Sequence, residues 1–164
     1  MFKIINFSMR YLMAIPFVLL MVNASFSQTT PCLEILPNPN LSSPAFQEFD
    51  RFVEVLGVLQ FYAEPGVSDA QLLHAASIGA ELLDNNEDGL IDDVELGEQL
   101  SNVNATMPLF LAEDSPAEQA MMDNFDNTFC VHAVLYSDEI APDSPLDWFA
   151  EASLEEILHT INGC

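Results

Sequence analysis

Residues 68–100 read SDAQLLHAASIGAELLDNNEDGLIDDVELGEQL, and three local signals within them set the expected architecture. Ser68 and Gln71 form a capping box, in which each side chain accepts the other residue's free backbone N–H. Leu72, Leu73, Ala76, Ala80 and Leu83 then recur at helical spacing, with apolar residues on more than one face, so the spacing predicts a buried helix. An acidic loop containing one glycine follows, and a short helix is expected over roughly Val94–Leu100. The passage therefore reads as helix, loop, helix.

The loop itself is Asp84-Asn85-Asn86-Glu87-Asp88-Gly89-Leu90-Ile91-Asp92-Asp93-Val94-Glu95. Oxygen-bearing side chains stand at Asp84, Asn86 and Asp88, then at Asp92 and Glu95, and Gly89 sits where a sharp bend needs a residue without Cβ. This pattern resembles the EF-hand calcium-binding motif, and the resemblance covers the loop and its two flanking helices, residues 68–100. It implies Ca²⁺ as the cofactor, a hard cation that takes oxygen ligands. Asp84, Asn86 and Asp88 would supply side-chain oxygens, Leu90 its backbone carbonyl, Asp92 a direct or water-bridged contact, and Glu95 a bidentate carboxylate. Ile91 would pack inward. EF-hands work in pairs bridged at the position of Ile91, and this sequence has one such loop. The resemblance therefore implies a partner, either a second copy in a homodimer or another protein.

Outward from this unit, Ser43-Pro44 and the spacing of Phe46, Phe49, Phe52, Val53, Leu56 and Leu59 predict a helix ending before Pro65-Gly66. Thr106–Ala112 is short and apolar, a strand weakened by Pro108. Ser115-Pro116-Ala117-Glu118 opens a helix to about Phe125. Phe129–Tyr136 has the length and content of a buried strand, and Ser144-Pro145 and Ser153–Glu156 open two last helices. The expected fold is mainly α, of α+β type, with the helix-loop-helix unit packed against further helices and a short strand pair.

The ends and the charge place the protein. Residues 1–27 read as a secretory signal, with Lys3 and Arg10 before the apolar run Tyr11–Val22 and small residues before Gln28. Residues 28–43 form an extended arm and 44–164 a single helix-rich domain. Of 3 bases and 26 acids, loss of the leader leaves Arg51 alone against every acid. Nucleic-acid binding is excluded as a function class, because it needs clustered Lys and Arg. No stable membrane anchor is expected, since Pro16 interrupts the uncharged stretch Tyr11–Gln28 and its second half turns polar. The mature protein is expected to be secreted, extracellular or periplasmic. In that setting Cys32–Cys130 and Cys130–Cys164 are both admissible disulfides. Cys164, directly after the helix-stop Asn162-Gly163, leads us to expect a piece of a longer protein.

No Gly-rich phosphate loop, Gly-x-Ser-x-Gly or His-Glu-x-x-His occurs. Glu156 and His159 have the Glu-x-x-His spacing of di-metal carboxylate sites, but those need two such motifs and two more acids. His74 and His132 fit core histidines. The functional expectation is calcium binding through the one loop, the ion acting as a structural staple of an exported acidic interaction module. The alternative is part of a secreted metallohydrolase with Glu156 and His159 at its site.

Overall fold

The computed structural model describes residues 33–143 and 151–164. The expected leader 1–27, Cys32 and the helix expected at Ser144-Pro145 lie outside them. One sheet carries β1 (Leu36–Pro37), β2 (Arg51–Val55), β3 (Leu59–Ala63), β4 (Ala105–Phe110) and β5 (Leu135–Tyr136), side by side in chain order. β1–β2 and β2–β3 pair antiparallel, whereas β3–β4 and β4–β5 pair parallel. The helices are α1 (Asp69–Leu83), α2 (Val94–Asn102), α3 (Pro116–Asn124) and α4 (Ser153–Gly163). The architecture is thus α/β around a five-stranded mixed sheet, which corrects the expectation of a mainly helical α+β fold with a short strand pair.

The correction centres on residues 44–63. In place of a helix the chain makes turns as far as Glu48, then the β2–β3 hairpin, reversing through Leu56 and Gly57 at φ 49° and 74°. A strand covered on both faces shows no alternation of apolar and polar residues, so its periodicity is silent. Val53, Val55, Leu59 and Phe61 join the core beneath α1 and α4, while Phe52 and Tyr62 join a second core on the opposite face. Phe46 and Phe49 cover that second face from their turns. Their carbonyls accept from the buried Asn38 Nδ2 at 2.7 and 2.9 Å, and the Phe46 ring lies 4.6 Å from Tyr62. The three-residue spacing of these aromatics is therefore a feature of turns and aromatic packing.

Elsewhere the local reading is closer. β4 forms despite Pro108. Thr106 donates to the Cys130 carbonyl at 2.8 Å on one side of β4, and Pro108, two residues on, faces the same side before pairing with β5 begins at Leu109. The missing N–H therefore removes no ladder bond. Of Phe129–Tyr136, Leu135 and Tyr136 form a strand and Cys130 an isolated bridge to Ala105. α3 starts as expected, with the Ser115 side chain accepting from Glu118 N. α1 and α2 carry the β3–β4 crossover over one face, and α3 carries the β4–β5 crossover over the other. Both crossovers step the same way across the sheet, so they are of opposite hand and one departs from the usual right-handed rule.

Two ties hold α4 in place. The structure joins Cys130 to Cys164, with Cα atoms 5.8 Å apart, which decides between the two admissible pairings. Closing a 34-residue separation restricts the unfolded chain by on the order of 4 kcal/mol in the chain-entropy picture. The second tie is the Glu151 carboxylate, which accepts from Ala141 N at 2.8 Å and Ser153 N at 3.0 Å and lies 3.1 Å from His74 Nε2 on α1. Burial by itself would raise the Glu151 pKa, but hydrogen bonds from Ser153 and Ala141 and the attraction of His74 outweigh it and hold the carboxyl below its ordinary 4.5.

A depressed carboxyl pKa means stabilisation that is present above the unfolded value and lost as pH falls through the lower folded value. Glu151→Ala is expected to destabilise the protein by about 3 kcal/mol at pH 7, read from urea melts. The gap to the unaltered protein should close as pH drops below 4.5. A gap that stays constant down to the acid limit would show that Glu151 acts by packing alone.

Candidate metal centre

The loop is the link between the two helices of the β3–β4 crossover. α1 leaves the far end of β3 and runs back along it, packed so closely that a Cβ on Gly79 would meet the Phe61 ring at 2.9 Å. It therefore delivers the loop to the end of the sheet where β3 begins, beside the Leu56–Val58 turn. The Asp84 N–H caps α1 on Ala80 O at 2.8 Å, and the Asp93 side chain caps α2 by accepting from Glu95 N and Leu96 N, both at 3.1 Å. Asp93 is a role missed in the sequence. Its signal was an Asp directly before the apolar-periodic residues.

Between the caps, the expected ligands organise the backbone. Asp84 is 3% exposed, and its two carboxylate oxygens accept from Asp88 N at 3.1 Å and Gly89 N at 2.7 Å. Asn86 Oδ1 accepts from Asp88 N at 2.9 Å, and Asp88 Oδ1 from Leu90 N at 3.0 Å. Asp92 reaches back across the loop, accepting from Asn85 N and Asn86 Nδ2, both at 2.9 Å, while its own N–H donates to Leu83 O at 2.9 Å. Asp84, Asn86, Asp88 and Asp92 are thus brought into one hydrogen-bonded turn. Glu95 stands apart, exposed on the first turn of α2. Leu90 exposes 69% of its surface, whereas Ile91 is half-buried against α2. A Cβ on Gly97 would meet Ile91 Cδ1 at 2.8 Å, so the bare α carbon lets Ile91 lie close against α2.

The donor set is all oxygen, with no His or Cys, and so suits a hard cation over zinc or copper. The carboxylates of the loop are turned onto separate N–H donors and spread along it. Among the described residues, the three acid or His ligand atoms that lie within 4.8 Å of one another belong to Glu155, Glu156 and His159 on α4. There His159 Nδ1 lies 3.6 Å from Glu156 Oε2, both within one helical turn and Glu155 and His159 exposed. The ordinary i,i+3 spacing of an acid and a base on one helix face accounts for that pair.

The other histidines resolve differently from expectation. His74 is half-buried and engages Glu151, a contact 77 residues apart in sequence. His132 is exposed, not a core residue, and its ring occupies the space where a Cβ on Gly163 would fall.

Gly89 holds the bend of the loop at φ 85°, a conformation that strains any L residue. Gly89→Ala is expected to lower stability by about 1–2 kcal/mol even in chelator, seen as a lower melting temperature in EGTA. An unchanged melt would mean that the loop backbone is not under this constraint. Compared with protein families, with curated proteins and with solved structures, the chain matches none.

Proposed function

We propose that this chain binds one calcium ion in the loop of residues 84–95, as the structural staple of an exported acidic interaction module. Asp84, Asn86, Asp88, Asp92 and Glu95 act through side-chain oxygens and Leu90 through its carbonyl. The observation that carries the reading is the buried Asp84 carboxylate, aimed into a loop that winds around it through the Asp88 and Gly89 N–H groups. As wound, the Asp84, Asp88 and Asp92 carboxylates rest on the loop's own N–H groups, so holding an ion requires them to turn inward and Glu95 to swing in from α2.

The ion supplies positive charge to a turn in which Asp84, Asp88, Asp92 and Glu95 otherwise repel one another. It joins the end of α1 to the start of α2 within the crossover that sets the β3–β4 pairing, so its binding energy becomes folding energy. An exterior with millimolar calcium keeps a site of about 10⁻⁴–10⁻³ M affinity occupied, which suits a staple more than a cytosolic sensor. The export part of the reading rests on the leader signals of residues 1–27.

Thermal melts with calcium and with EGTA test it. At tenfold excess of calcium over Kd, the ion should add about 1.4 kcal/mol, or roughly 3–6 °C in melting temperature. Glu95→Gln should abolish that difference, and calorimetric titration should give one site. Equal melts in calcium and EGTA, with no heat of binding, would reject the proposal.

A further inference from the structure

Beside the loop, the β2–β3 turn and the outer face of α2 enclose an open groove of about 960 Å³, lined by Leu56, Val58, Leu90, Ile91, Val94 and Glu98. Its walls are apolar and in part fully presented. Leu90 is 69% and Val94 68% exposed, among the most exposed large apolar side chains of the described residues. Leu56 contributes from a left-handed backbone conformation that Asn or Gly adopts more readily, so an apolar side chain is kept at the groove in a place where local conformation disfavours it.

The rim has one sign of charge. Glu98 lines the groove, and Glu87 and Asp93, neither of them a proposed calcium ligand, are exposed on the adjoining loop. Arg51, the one Lys or Arg among the described residues, lies at the other end of β2 and is held by Asp50 and Asp69 at 2.9 and 2.8 Å. An apolar floor inside an acidic rim is complementary to a chain with an apolar stripe flanked by Lys or Arg. It opposes an anionic membrane, and it opposes a second copy of this chain, which would bring like charges together.

We propose that this groove docks a basic amphipathic helix of a partner protein, its apolar stripe on Leu56, Leu90 and Val94 and its cations along Glu98, Glu87 and Asp93. The docking rests on the groove and its charge and is independent of the calcium reading.

The probe is a synthetic 18-residue peptide with Leu at helical spacing and Lys elsewhere. Controls are the same composition in scrambled order and a Leu/Glu version. Titration is followed by calorimetry on the full chain, once in calcium and once in EGTA, and binding in either medium supports docking, so a failed calcium site leaves it standing. The Leu/Lys helix should bind, the Leu/Glu peptide should not, and Val94→Gln with Glu98→Lys should weaken binding about tenfold. Because both positions are exposed, circular dichroism is expected to show the variant folded; if it does not, Val94→Ala alone, with an expected loss of at least threefold, takes its place. Three results would each overturn the proposal. The Leu/Lys helix fails to bind in both media, the scrambled peptide binds as tightly, or the chain sediments as a dimer that the double variant dissociates.

Discussion

The parallel pairing of β3 with β4 is the constraint from which the rest of the molecule follows. Leu59 lies opposite Ala105 and Ala63 opposite Leu109, so the chain that leaves the end of β3 must return the full length of the sheet before β4 can begin. α1 makes that return, and the acidic loop turns the chain over into α2. The candidate metal site is therefore part of the connection that makes the sheet possible. An ion holding the two helix ends together would act on the central strand pairing of the fold.

The same sheet explains the unusual burial. Tyr62, Phe61, Met107, Leu109 and Phe110 are essentially inaccessible, because α1 and α4 cover one face while α3 and the Phe46–Phe49 turns cover the other. α1 and α3 are held by the strands they connect, whereas the Phe46–Phe49 turns and α4 are tethered separately. Asn38 ties down the turns, and Glu151 with the Cys130–Cys164 disulfide ties down α4. These are buried hydrogen bonds and a covalent link placed where a packed element would otherwise be held by apolar contact alone.

Both proposals fall at the end of the sheet to which α1 delivers the loop. The turn of the hairpin, the loop and α2 meet there, so one corner of the molecule presents the proposed calcium ligands and an apolar groove side by side. The overall acidity has a local meaning at this corner. It would supply the proposed ligands inside the loop, and it sets the sign of charge around the groove.

The residues alone determined what depends on neighbours within four positions. The Ser68–Gln71 capping box, the Ser115 cap, the length of α1 and the loop pattern with its bend at Gly89 were all legible, because each is a hydrogen bond or backbone preference closed within one turn. Tertiary structure decided what depends on partners far along the chain. Residues 51–63 carry helix-like apolar spacing and still form two strands, because layers on both faces of the sheet reward burial of apolar side chains on either side of each strand. The choice of Cys164 for Cys130, and of Glu151 for His74, likewise waited on the packing of α4 against α1. Short-range chemistry writes the loop; the position of that loop at the mouth of a groove exists only once β3 and β4 lie side by side.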